Sequence, residues 1–476
     1  REMWPRVLFF SQSFLFVFLP IVLAGALFLS RIRDALLVVP WLAVASAVFY
    51  VQDGWRHGLL LALSIVVNWV VGAALMQARG NPRLARAIFI AGVVFDVGLL
   101  AIFKYLDFLI RTTNDLTGWH GAAFEIALPV GISFYTFTQI AYISDVYLKR
   151  HDHEPFIPYV LFVTFFPHLI AGPIIHHKEM MPQFHARRRI SLFSDEMAQG
   201  WLLFAIGLFK KLVLADTLAL FADRGFADKA VLGVGDGWLT SLSYTFQLYF
   251  DFSGYADMAV GLALMFGILL PFNFNSPYKA LNVQDFWRRW HMTLSRWLRD
   301  YLYIPLGGNR KTEARTLGNL FIVFLVGGLW HGAAWTFVIW GAMHGAAIVV
   351  HRLWVQAGMR MMPAFALPLT FLFVNAAWVP FRAESGATAA NILSAMAGAA
   401  ASPDPMTLFA TDGQWLIALL MLCGAIVWTL PNSQTLVLGG RWRIGWVSGV
   451  ATGLAVFLAL IRAGGGETSP FLYFNF

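Results

Sequence analysis

A single cysteine, Cys423, is all the chain contains, so no internal disulfide framework can hold it together. Charge is scarce as well: 13% of the 476 residues are charged, where a soluble domain carries about 25%. That shortfall excludes a soluble multidomain protein. Low-complexity tracts and repeats of about 20–50 residues are missing, which favours one membrane domain over residues 1–476. The short signatures of many soluble enzymes are missing too. There is no H-E-x-x-H, no cysteine pair, no G-x-S-x-G, no P-loop and no G-x-G-x-x-G opening a helix. Twelve histidines are scattered without a compact His/carboxylate cluster, so no metal site is expected.

What the chain has in abundance is apolar surface. Hydrophobic residues make up 59% of it, with 43 Phe and 19 Trp, and the mean hydropathy is +0.66. Apolar runs recur at 14–29, 59–76, 87–105, 126–147, 415–430 and 446–461. A hydrocarbon core of about 30 Å asks for runs of that order, so an all-α protein crossing the bilayer roughly ten or more times is expected. The net charge of +8 is then no sign of nucleic-acid binding, because basic residues of membrane proteins gather in cytoplasmic loops. Arg31 and Arg33, then Arg79, Arg83 and Arg86, then Lys149 and Arg150 follow alternate spans. The loops between them, at 53–58 and 107–125, are poorer in Lys and Arg, which puts the N-terminus outside. Ala24-Gly25-Ala26 mimics a signal-peptidase site, but the apolar run continues through it, as in an uncleaved first helix.

The segment 156–175 breaks this alternation. It is apolar enough to span, yet Lys178 and Arg187–Arg189 follow it, and Pro158, Pro167, Gly172 and Pro173 interrupt it. A re-entrant hairpin accounts for both features. Residues 386–413, rich in Ala, Ser, Gly and Pro, read as a loop with at most one short helix.

Two histidines stand out chemically. Taken as one helix over about 286–301, the sequence puts Trp287, Trp290, Leu294, Trp297 and Tyr301 on one face. Arg288, Arg289, Arg296, Arg299 and Asp285 fall on the other, as in an interfacial helix with its basic side toward headgroups or an anionic ligand. His291 flanks the aromatic stripe, as a packing residue or a placed catalytic group. His331 lies in an apolar segment over about 320–345, where an imidazole is costly and marks a functional site or proton path. Gly327, Gly328 and Gly332 let a backbone or a substrate approach it, and Trp330 and Trp335 would wall a pocket. Its ordinary pKa near 6.5 suits a general base, and a bond to a neighbouring helix is the plainer reading. His344 and His351 fit structural roles. Asp251 and Asp257, in Y-F-D-F-S-G-Y-A-D-M, suit pairing with Arg or Tyr neighbours or the orienting of a base.

R-W-H-M-T-L-S-R-W-L-R-D-Y-L-Y-I-P-L-G-G-N-R at 289–310 and G-L-W-H-G-A-A-W-T-F-V-I-W-G at 328–341 closely resemble the membrane-bound O-acyltransferase family. Within it, the resemblance is to the bacterial members that acetylate alginate and related polysaccharides. F-S-Q-S-F-L-F-V-F-L-P, L-P-V-G-I-S-F-Y-T-F, F-F-P-H-L-I-A-G-P-I, G-L-F-K-K and the closing P-F-L-Y-F-N-F carry it nearly end to end. The start at Arg1 departs from the family, whose members usually open near the F-S-x-S motif, which sets Arg1–Val7 apart.

The resemblance implies about 10–12 transmembrane helices, with re-entrant and interfacial elements around a central tunnel. It puts the catalytic intramembrane histidine at His331 and the family's second histidine at His291. Arg288, Arg289, Arg296, Arg299, Trp330, Trp335 and Asp251 become candidates for substrate contact. It also implies a bacterial inner-membrane location, acetyl-CoA or another thioester as a donor rather than a bound cofactor, and membrane lipids as surroundings. A periplasmic serine hydrolase-like (SGNH) partner would carry the acetyl group to an exopolysaccharide. D-alanyl transfer to teichoic acid is the rival within the superfamily. A proton-coupled polysaccharide exporter, with His331 and Asp251 as relay, is the rival of another class, although no inverted repeat of the transporter kind is visible.

Overall fold

The computed structural model describes residues 8–32, 35–52, 54–186, 189–440, 445–464, 469, 471 and 472; Arg33, Arg187, Arg188 and the first seven residues lie outside these. Among the described residues the chain is helical, with no strand. Five helical stretches are long and apolar enough to cross a membrane: Trp55–Gly80, Pro82–Thr117, Trp335–Gln356, Pro363–Arg382 and Trp446–Ala463. Three shorter apolar ones are Phe14–Leu29, Val38–Val51 and Gly413–Thr429. Other long helices carry polar residues that hydropathy alone passes over. The protein is multi-pass and membrane-embedded.

The contacts divide the chain into two compact units, one of residues 1–204 and 258–271, the other of 205–257 and 272–476. The sequence alone drew no such division. In the first lie α1 (Phe14–Leu29), α2 (Val38–Val51), α3 (Trp55–Gln77), α4 (Pro82–Leu100), α5 (Leu106–Thr117) and α6 (Ile132–Tyr147). They are followed by α7 (Phe156–Thr164), α8 (Phe166–Leu169) and α9 (His177–His185). Asn81 starts α4 by accepting the Leu84 N–H at 3.2 Å, with Pro82 at the first helical position. The first helix runs straight through Ala24-Gly25-Ala26.

The apolar segment 156–175 is no single helix. It breaks at Phe165 (φ −47°, ψ 107°), between α7 and α8, where the Phe166 N–H is held by Ser46 at 3.0 Å. Phe14, Phe18, Phe49, Phe166 and Phe266 pack ring to ring around that break, at centroid separations of 5.4–6.2 Å. Irregular backbone is thereby enclosed in protein, as membrane depth requires.

Two helices cross from one unit to the other, α10 (Asp195–Phe209) and the 32-residue α12 (Val234–Met265), with α11 (Asp216–Phe226) between them. The second unit continues through α13 (Val283–Trp287), α14 (Met292–Leu298), α15 (Glu313–His331), α16 (Trp335–Gln356) and α17 (Pro363–Arg382). It closes with α18 (Gly386–Met396), α19 (Gly413–Thr429), α20 (Ser433–Val437) and α21 (Trp446–Gly464). Only α18 interrupts the loop region after α17, as its composition suggests.

The tightest pairing in this unit is α15 against α16. A Cβ at Gly328 would stand 2.4 Å from the Phe337 carbonyl oxygen, and one at Gly341 would stand 2.5 Å from that of Phe324. Small residues let these backbones meet, which is how helices associate where no hydrophobic drive separates them from lipid.

Candidate active site

His331 is the last residue of α15, and only 3% of it is exposed. Aromatic rings surround its imidazole. Trp330 lies at 4.9 Å between centroids, Trp340 of α16 and Phe381 of α17 at 5.1 Å each, and His291 at 6.3 Å. Such a cage excludes water, and every charge or dipole inside it acts at low dielectric.

His291 is fully buried, and its backbone explains how it gets there. The single helix expected over 286–301 does not form. α13 ends at Trp287, α14 starts at Met292, and His291 between them sits at φ 42°, ψ 53°. A non-glycine side chain in that region is strained and needs outside support. The support comes from the loop after α12. Asn273 O accepts the Met292 N–H at 3.0 Å, and the Asn275 N–H donates to Arg289 O at 2.9 Å.

The same loop fixes the imidazole. His291 Nδ1 lies 3.3 Å from Asn273 Oδ1, which also accepts the Thr293 hydroxyl at 2.6 Å. A carbonyl oxygen can only accept, so Nδ1 carries the hydrogen, and in the neutral ring Nε2 keeps its lone pair. Phe252 of α12 packs edge-on against this ring at 4.8 Å, and Trp330 at 5.9 Å. The arrangement is two buried imidazoles in one aromatic pocket, one with an assigned tautomer. It can hold and pass a proton.

The aromatic stripe points inward. Trp287, Trp290, Leu294 and Trp297 are all buried in the protein's own core rather than laid on a membrane surface. The basic residues do not form one stripe. Arg288 is exposed, and Arg289 is paired with Asp285 at 2.9 Å. Arg296 is half-buried in α14, and exposed Arg299 is paired with Asp300 at 2.7 Å.

Trp330 packs against both the His331 and the His291 rings. Trp335, by contrast, is 56% exposed at the head of α16, while Trp340 and Phe381 close in on His331. Gly328 serves helix contact, and Gly332 makes room for the Phe337 ring, 2.0 Å from where its Cβ would stand. The Gly332 N–H is already bonded to Gly328 O at 3.3 Å. Asp251 is buried, and its carboxylate is taken up by Lys211 at 2.7 Å and by the Leu472 N–H at 3.1 Å. Asp257 pairs with Lys210 at 2.7 Å. The partners are lysines rather than the Arg or Tyr expected. His344 accepts a hydrogen bond from Trp287 Nε1 at 3.2 Å, a packing role.

Asn273, Phe252, Trp340 and Phe381 escaped the sequence reading. Asn273 had a faint signal, since F-N-F-N-S at 272–276 is a turn-like polar stretch between two apolar regions.

Known proteins bear on this geometry. Residues 149–382 match the membrane-bound O-acyltransferase family model. The chain is 41% identical to the "Peptidoglycan O-acetyltransferase" of Helicobacter pylori, over 99% of this chain and 98% of that protein. It is 44% identical to the protein of Pseudomonas aeruginosa named "Probable alginate O-acetylase AlgI", over 82% of this chain and 75% of that one. The "Teichoic acid D-alanyltransferase" of Bacillus subtilis is 28% identical over 67% of this chain. With two histidines brought together at the heart of the matched region, this chain belongs to the membrane-bound O-acyltransferase family and is an O-acyltransferase.

Proposed function

We propose that the protein moves an acetyl group from a cytoplasmic thioester donor, acetyl-CoA, across the bacterial inner membrane for O-acetylation of an envelope or secreted polysaccharide. The observation that carries this reading is the His331–His291 pair, 6.3 Å apart between ring centroids in a water-excluding aromatic cage. The acceptor hydroxyl gives its proton to the His331 imidazole as its oxygen attacks the thioester carbonyl carbon. The carbon–sulfur bond breaks, and the departing thiolate takes that proton back. His291, held by Asn273, orients the pocket and the reacting groups.

The donor route is supported by a cavity of about 380 Å³ bounded by Gln284, Tyr303, Asn309, Leu320, His351 and Arg352. Arg310, Lys311 and Arg315 cluster at the same end of α15, a basic bias that supports a cytoplasmic side for that end. From Leu320 to His331 the helix climbs about 16 Å, a distance suited to the flexible arm that carries the thioester. The nucleotide end of the donor then stays at the cavity. Arg352 grips Glu313 there through Nε (2.6 Å) and a terminal nitrogen (3.0 Å), and a donor phosphate can compete for that fork. Arg352→Gln is expected to raise the KM for acetyl-CoA about tenfold while kcat moves less than about twofold. Steady-state kinetics on purified protein checks this, and an unchanged KM would remove the cavity from the donor path.

Two acceptors remain in view. An alginate-like exopolysaccharide fits the resemblance, and the end-to-end likeness to the protein named for peptidoglycan favours the cell wall. Deleting the gene and measuring ester-bound acetate on both polymers decides between them. Loss from neither would refute the reading as a whole.

A further inference from the structure

A buried charge cluster in the second unit has no place in the transfer chemistry, yet it holds the helix that packs against His291. Between α10 and α11 the chain makes one π-helical segment, Lys210–Ala215. Its wider turn sends two consecutive lysines to different carboxylates on α12. Lys210 reaches Asp257, and Lys211 reaches Asp251 at 2.7 Å and Asp216 at 2.8 Å. Between those two attachment points Gly254 brings α12 against α10, its Cβ position 2.8 Å from Gly207 O. Positions 251, 254 and 257 share one helix face. On another face, Phe252 meets His291 at 4.8 Å and Phe274 at 4.9 Å.

Lys211, Asp216 and Asp251 are each no more than 2% exposed. One ammonium faces two carboxylates, so their oxygens call for further donors, and buried polar oxygens without them are costly. The donors come from far along the chain. Ser469 donates its hydroxyl to Asp216 at 2.7 Å, and the Leu472 N–H donates to Asp251 at 3.1 Å. The Phe471 ring lies 5.0 Å from Lys211 Nζ and 4.5 Å from the Tyr255 ring of α12. These three residues fall on the P-F-L-Y-F-N-F motif and the serine just before it.

We infer that Ser469, Phe471 and Leu472 act as a clamp: by completing the Lys211–Asp216–Asp251 cluster they fix the rotation of α12, and through Phe252 the position of His291. Its residues are positioning residues, not catalytic ones. The catalytic consequence rests on the role given to His291 above; the mechanical one does not.

The test uses the full-length protein with Leu472→Pro, which removes the donating N–H, restricts the backbone and gives up the buried leucine side chain. Ser469→Ala is the gentler second variant, and Ser469→Thr restores a hydroxyl. Two quantities are read below the melting temperature, the rate at which diethyl pyrocarbonate modifies His291, located by mass spectrometry, and the kinetics of acetyl transfer. The clamp predicts faster His291 modification in Leu472→Pro and Ser469→Ala, and wild-type protection in Ser469→Thr. With His291 displaced, kcat should fall about tenfold for the proline variant and less for the alanine variant, with the KM for acetyl-CoA unchanged. Unchanged protection of His291 in the folded alanine variant overturns the clamp, as does loss of protection in the threonine variant. Faster modification with full kcat leaves the clamp standing and removes His291 from the reaction.

Discussion

Replacing His331 with alanine is expected to lower acetyl transfer by about 10²–10⁴-fold, the usual loss when a general base is removed. Most of the loss should appear in kcat, because a general base acts in the transition state rather than in holding the donor. The position is otherwise unsuited to a histidine. It is 3% exposed at the end of an apolar helix, among Trp330, Trp340 and Phe381. An ionisable group buried at membrane depth marks a functional site by default. Alanine would leave a hole among these rings, and holes in cores destabilise, so His331→Gln belongs beside it. Glutamine keeps much of the volume and can still hydrogen-bond, but it cannot accept a proton near neutral pH. Both variants should lose activity alike, and the glutamine protein should melt close to the parent. Retention of more than about half the activity by either variant, measured with labelled acetyl-CoA on purified protein, would show that His331 is not the base.

How much of this site could be read in advance depended on whether the signal was local. His331 was legible because an ionisable residue in an apolar run is conspicuous by itself, and Trp330 beside it followed. The course of the chain around His291 was not. A period near 3.6 joins Trp287 to Tyr301 without a break, and local propensity has no way to register Asn273. That residue is 18 positions upstream, yet its carbonyl takes the Met292 N–H and its side chain holds the His291 ring. Tertiary hydrogen bonds overrode the helix and left a strained histidine where it can act. Trp335 was misjudged for a related reason: spacing from His331 cannot tell which α16 residue turns inward, and the helix turns Trp340 in and Trp335 out. The glycines around His331 were seen, but Gly328 faces the backbone of α16. The aspartates of α12 were expected to be paired, and their lysines were visible in G-L-F-K-K. Only the folded chain shows that one π-helical turn delivers both.

In sealed vesicles with acetyl-CoA supplied at the cytoplasmic face, this protein alone is expected to leave an external polysaccharide essentially unacetylated. Adding a periplasmic serine hydrolase-like partner should raise polymer acetylation at least about a hundredfold, the scale set by bringing reactants into oriented contact. The physical reason is access. On the proposed reading the donor starts on one side of about 30 Å of hydrocarbon and the polymer waits on the other. His331 is closed in by aromatic rings, so a sugar hydroxyl on a stiff, hydrated chain would have to shed its water and enter a cage that excludes it. A single side chain on a partner, such as a serine, is a far smaller object to admit. It could collect the acetyl group at the membrane and deliver it to many hydroxyls outside. Two controls make the result interpretable. His331→Gln in the same vesicles should abolish transfer with the partner present, which ties the signal to this site. A partner lacking its own nucleophile should fail to rescue, which separates a covalent relay from mere docking. Full-rate acetylation of external polymer by the protein alone would end the relay model, and would mean that the outer mouth of the site admits a polysaccharide directly.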